Sequence, residues 1–263
     1  MRLWLVIIGL ALGTACGAAR RSTGSAEEIP AWRTEDGQKG VWRDLAVWYI
    51  DNDMPDKALE MITRLRESGA DSAELLLLQG RALVAQGMPE EARTVLELAR
   101  EDMRKDPRPH QELGIVYADL GEYDLAVESL RTALQFDADD TRTRNNLGFL
   151  LLAMDLCEEA TAELEQVLAA DASNSRYRNN LAFSLVCSGE PTRALKLFRS
   201  TGSEAEARYN MGVAYERLDK LSSALLQYQQ ALEVDPKHEP AREALTRLEP
   251  LGLSPDEPLQ GVE

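Results

Sequence analysis

The chain has few of the residues that catalysis and metal binding use most. Its 263 residues include two His and three Cys, and aromatic residues make up 6%. His110 and His238 stand in distant parts of the chain, each with one acid nearby, Glu112 and Glu239. One imidazole and one carboxylate do not complete a zinc site, which needs three or four ligands at close spacing, so neither a metal nor a cofactor is expected. No Gly-rich phosphate loop occurs, and no nucleophile stands at useful spacing from a base, so the sequence predicts no enzyme and no small-molecule substrate. Lys and Arg number 29 against 45 Asp and Glu, a net charge of −16. Phosphate backbones repel such a chain, which argues against a nucleic-acid partner. The paired acids Glu90-Glu91, Asp139-Asp140 and Glu158-Glu159 fall at turns or helix starts, where water and the helix dipole account for them. What is abundant is core material, 44% hydrophobic. The inventory is that of a binding protein.

The N-terminus is a different kind of sequence. Arg2 precedes an apolar stretch, Leu3 to Leu12, followed by small residues. A bilayer span needs about 20 apolar residues, and this stretch is roughly half that. A short apolar core behind a positive residue reads as a signal peptide over residues 1–15. The end, Leu12-Gly-Thr-Ala-Cys16-Gly17, resembles the lipobox of bacterial lipoproteins, although Gly13 stands where the box usually has Leu. The resemblance implies that Cys16 is acylated, with a membrane-bound mature chain. Gly17 after the Cys then favours the periplasmic face of the outer membrane. A secretory signal cut near Ala15 and an uncleaved anchor are the alternatives. Residues 16–38 lack apolar periodicity and read as a flexible tether, spanning roughly 26 Å as a coil.

From there a period of 34 residues takes over. Small residues recur at Ala46, Gly80, Gly114, Gly148 and Ala182, then at Gly212 after a shorter step. Twelve residues after each comes Ala58, Ala92, Ala126, Ala160, Ala194 and Ala224, and four beyond those a large apolar residue, from Ile62 to Tyr228. Within each unit the apolar positions form two helical blocks split by a turn such as Leu120-Gly-Glu-Tyr123. Two antiparallel helices need tiny residues where their backbones approach, a role the pattern gives to Gly148 and Ala160. One pair cannot bury its own apolar face, so stacked pairs must build the core together.

These residues resemble the tetratricopeptide repeat. Trp42-x₂-Leu45-Ala46-x₂-Tyr49 nearly spells its pattern, and Ala231-Leu-Glu-Val-Asp-Pro236 ends like it. The expected fold is all-α: a right-handed superhelical solenoid over residues 39–248. Six repeats begin near Lys39, Ala73, Pro107, Thr141, Ser175 and Ala205, and a capping helix follows from Pro240 to Leu248. The fifth repeat is short, cut after Phe198. Residues 249–263, rich in Pro and Gly, read as a disordered tail.

By the same resemblance, the first helix of each repeat lines a concave face, and fixed positions point into it. In repeats four to six these give Arg142, Asn145, Asn146 and Phe149, then Arg176, Asn179, Asn180 and Phe183, then Tyr209, Asn210 and Arg217. Asn both donates and accepts, which suits an extended peptide main chain, and Arg suits carboxylates. Asn146, Asn180 and Asn210 match the position that takes part in carboxylate clamps in the family, without the clamp's lysines. Cys157 and Cys187 are read as two free buried thiols, with a bridge across adjacent repeats as the alternative. Signal, lipobox, tether and repeats together resemble lipoproteins that assist pilus machines, the Flp/Tad repeat lipoprotein or type IV pilotins. The implied role is a membrane-anchored scaffold for a secretin, pilus or other envelope subunit. The alternative is an envelope adaptor that recruits a peptidase or cell-wall enzyme.

Overall fold

A computed structural model describes residues 35–248, and the described residues form thirteen helices and no strand. The first six are α1 (Glu35–Asp51), α2 (Pro55–Glu67), α3 (Ala73–Ala85), α4 (Pro89–Asp102), α5 (Pro107–Asp119) and α6 (Tyr123–Phe136). Then come α7 (Thr141–Ala153), α8 (Cys157–Ala170), α9 (Ser175–Cys187), α10 (Pro191–Arg199), α11 (Glu204–Arg217), α12 (Leu221–Val234) and α13 (Glu239–Leu248). Odd and even helices pair in sequence from α1/α2 to α11/α12, each pair packs on the next, and α13 closes the end on α12. The architecture is a right-handed all-α solenoid of six helix pairs with a terminal cap.

Local chemistry sets where each helix starts and stops. Ser72, Asp106, Asp140, Asn174 and Ser203 each accept a backbone N–H from the first turn of the helix that follows. Proline opens α2, α4, α5 and α10, where its missing N–H costs nothing. Each turn within a pair needs one residue at positive φ. Gly87, Gly121 and Gly189 supply it in three repeats, and Asp53, Asp155 and Asp219 in the others.

The pairs close on the small residues. A Cβ placed on Gly148 would lie 2.6 Å from Leu164 Cγ, and one on Gly114 as close to Leu130 Cγ. So the missing side chain of Gly148 makes room for Leu164 of the partner helix, which lets the two backbones approach. Ala160 on the partner helix is fully buried. Three buried clusters run along the stack, from Ala46 to Ala82, from Leu77 to Ala160 and from Leu164 to Leu248. Adjacent clusters share no repeat boundary cleanly, so the core is continuous.

Two features differ from the sequence reading. Helix α1 begins at Glu35, inside the stretch read as tether. Glu35 and Asp36 occupy its first turn and Glu35 pairs with Lys39 at 2.9 Å, so charge rather than apolar periodicity starts this helix. The signal peptide, Cys16, the rest of the tether and the tail lie outside the described residues. The second correction concerns the cysteines. Cys157 heads α8, Cys187 ends α9, and the two form a disulfide with Cα atoms 5.5 Å apart. They are not free thiols, because stacking sets the turn of the fourth repeat against the first helix of the fifth.

The short α10 has a visible consequence. It has nine residues, where the other second helices have 13 or 14. Its end is fastened by Glu204, which takes Arg199 at 2.5 Å and Arg208 at 2.8 Å. Those guanidiniums, Arg199 first, hold the Glu204 carboxyl below the usual range. Helix α11 is thereby drawn in, and Arg217 Nη2 donates to the Leu152 carbonyl at 3.3 Å, two repeats back. That oxygen, in the last turn of α7, also accepts the Asp155 backbone N–H at 3.2 Å. At the far end Ala241, Ala244 and Leu248 of α13 are buried, while Arg242, Glu243 and Arg247 face outward, the polar outer face a terminal cap needs.

Candidate functional site

Helices α5, α7 and α9 stand side by side along the inner wall. Between them lies a cavity of about 670 Å³. Helix α7 contributes Arg142, Asn145, Asn146 and Phe149, and α9 contributes Arg176 and Tyr177. The third repeat adds Ile115, Ala118 and Asp119 from α5 and Tyr123 from the start of α6. Phe149 is 51% exposed and Tyr123 46%, so two large rings face solvent in one hollow. A volume of this size falls in the range of ligand pockets, although this one is an open groove.

The caps place the cations. Asp140 and Asn174 accept the backbone N–H of Arg142 and Arg176, both at 3.0 Å, and fix the two arginines at the same point of successive helices. Both side chains are exposed, and among the described residues neither guanidinium has a hydrogen-bonded or ion-paired partner. The cations of the earlier repeats differ. Arg81 reaches Asp51 at 3.2 Å and Glu112 at 3.4 Å, and Arg108 reaches Glu74 at 2.8 Å. Burial pushes the Glu112 carboxyl above the usual range, while Arg81 and then Arg142 pull it back. The inward cations Arg81 and Arg108 of the second and third repeats are thus paired, whereas Arg142 and Arg176 of the next two make no ion pair among the described residues.

The structure brings together five of the sequence-assigned groove residues: Arg142, Asn145, Asn146, Phe149 and Arg176. Of these, Asn145 is only 6% exposed, and its Oδ1 accepts from Asn180 Nδ2 at 2.8 Å, so this pair joins the fourth repeat to the fifth. Asn179 accepts from Thr201 Oγ1 at 2.8 Å, just beyond the shortened helix. Phe183 packs edge-on against the buried Phe198, with ring centroids 5.2 Å apart. Tyr209 and Arg217 border a separate hollow of about 510 Å³ against α13, and Tyr209 stacks near Tyr228 and His238. Asn210 is half-buried on α11 and lines neither hollow. The single strip expected along repeats four to six is therefore split, and its open part shifts toward repeat three. Ile115, Ala118 and Asp119 were missed there, although they occupy the same inward positions of the third repeat.

Among the described residues no group of three or more His, Cys, Asp or Glu could hold a metal ion. No helix among them is long and apolar enough to cross a membrane.

Comparison with known proteins agrees with this geometry. Family models described as tetratricopeptide repeat match residues 49–113 and 205–238, and one described as TPR repeat matches 114–155. The chain is built of tetratricopeptide repeats. Among solved structures, Pseudomonas aeruginosa PilF aligns with TM-score 0.62 at 17% identity, over 81% of this chain and 99% of its own. YrrB, described as a TPR protein with an unusual peptide-binding site, aligns with TM-score 0.56 at 21% identity, over 70% and 97%. MamA from Desulfovibrio magneticus RS-1 aligns with TM-score 0.54 at 22% identity, over 64% and 98%. At these identities the likeness is one of fold. No curated protein sequence matches the chain.

Proposed function

We propose that the protein is a scaffold, held to a membrane by a lipid on Cys16, that seats an extended segment of a partner protein in its concave groove. Its work is then assembly of a pilus, secretion or other envelope complex, at the periplasmic face of the outer membrane. The observation that carries the binding role is the groove itself, where two unpaired guanidiniums, Asn146 and an exposed Phe149 share one hollow. Such a surface offers main-chain hydrogen bonds, charge and an apolar seat together. YrrB lends a precedent for peptide binding on this fold. The envelope assignment is supported by the signal-like N-terminus and by the Cys157–Cys187 disulfide, which fits an oxidising compartment.

The test is capture of partners by mild cross-linking in the native envelope. The wild type is compared with a variant carrying Arg142→Ala, Asn146→Ala, Phe149→Ala and Arg176→Ala. Asn145 is left intact because it holds Asn180. A protein recovered with the wild type should fall by about tenfold or more with the variant at unchanged melting temperature, each lost charge-assisted contact weighing about 1.5–3 kcal/mol. Secretin or pilus subunits among the captured proteins would support the assembly role, and hydrolases the adaptor role. Equal recovery would remove the groove from the function. The anchor has its own readout. Cys16→Ser should move the protein from the membrane to the soluble fraction and abolish labelling by a fatty-acid probe.

A further inference from the structure

The charges in the groove are ordered, and their order bears on what can lie there. Arg142 and Arg176 stand on the side of the fourth and fifth repeats, both without partners among the described residues. Across the same hollow, on the third repeat, stands Asp119, exposed at the end of α5 and not part of any ion pair described above. Glu112, on the same helix, is paired with Arg81 and lies within electrostatic reach of Arg142, though it makes no hydrogen bond to it. Phe149 projects between the two ends of this axis as its exposed apolar seat.

In a protein of net charge −16, the inward cations of the second and third repeats, Arg81 and Arg108, are ion-paired. Two adjacent guanidiniums left open, facing one open carboxylate, are therefore a local reversal of the protein's field. Within the groove an incoming acidic group is drawn to the two guanidiniums, and a basic group to the carboxylate.

We infer that the groove selects an extended segment with separated charges: carboxylates over Arg142 and Arg176, an apolar side chain on Phe149, and a basic residue toward Asp119. This deepens the peptide-binding reading and rests on it. Because the arginines stand at the starts of α7 and α9 and Asp119 at the end of α5, the order runs mainly along the helix axes, and it fixes which end of the segment lies toward the helix starts. A uniformly acidic or uniformly basic segment would gain at one end and lose at the other.

The inference is tested by selecting internal random peptides displayed on phage against the purified chain. Parallel selections use the Arg142→Ala/Arg176→Ala double variant, Asp119→Asn, and Phe149→Ala. The three sites are exposed, so the variants should retain the wild-type melting temperature. Enriched peptides are expected to carry acids on one side of an apolar residue and a base on the other. Their binding should weaken about tenfold or more in the arginine variant, and less in Asp119→Asn. Arg176→Glu should turn the preference at that end from acidic to basic residues. Enrichment without charge order, lost in Phe149→Ala, would overturn the inference and leave the groove reading standing. Enrichment indifferent to every variant, or no enrichment, would overturn both.

Discussion

Replacing Gly148 with Trp should lower stability by about 3 kcal/mol or more, the upper end of what overpacking a core costs. The reason is the 2.6 Å that would separate even a bare Cβ from Leu164 Cγ. Leu164 is fully buried, so it cannot swing away into solvent, and an indole could enter only by parting α7 from α8. The adjacent Phe149→Trp is the control. Phe149 is half exposed, and its replacement should stay within about 0.5 kcal/mol. Urea midpoints of the two variants decide the matter. Equal shifts would mean that the register placing Gly148 against Leu164 is wrong.

The second large effect belongs to the disulfide. Cys157 and Cys187 are 30 residues apart in sequence, and closing a loop of that length in the unfolded chain stabilises by about 3–4 kcal/mol. Their Cα separation of 5.5 Å lies within the range a bridge requires. Dithiothreitol should therefore lower the urea midpoint of the wild type and leave Cys157→Ser unmoved at the reduced value. Thiol titration of the denatured protein, before and after reduction, should differ by two groups. A wild type insensitive to the reductant would return the pair to free thiols.

The fold could be read in the sequence because its determinants repeat. The alanines at 58, 92, 126, 160, 194 and 224 are all fully buried, and each recurs at one place in its unit. Periodicity reveals a position that every repeat must fill in the same way. The groove was less legible because its residues are used differently from repeat to repeat. Asn145 and Asn146 are adjacent and chemically identical, yet the first is sealed against Asn180 and the second faces the hollow. Arg142 and Arg81 are both inward cations, but only Arg81 meets carboxylates from both neighbouring repeats. Such distinctions depend on distances between repeats, which the spacing within one repeat does not contain. The same holds for the cysteines. Asp119 is the exception, since the inward positions that gave Arg142 also give Asp119 when applied to the third repeat.

The disulfide also divides the molecule mechanically. A solenoid carries load along its stack, because each unit touches only its neighbours. Were the N-terminus anchored and a segment held by α7 and α9, as proposed, a pull would run through the first three repeats. The described disulfide lies beyond that stretch, between the fourth and fifth. Beyond it, too, the Arg217 contact to Leu152 binds the sixth repeat back to the fourth. The first three repeats would then act as a compliant spring, peeling and re-forming under tension, while the cross-linked block keeps its grip on the cargo.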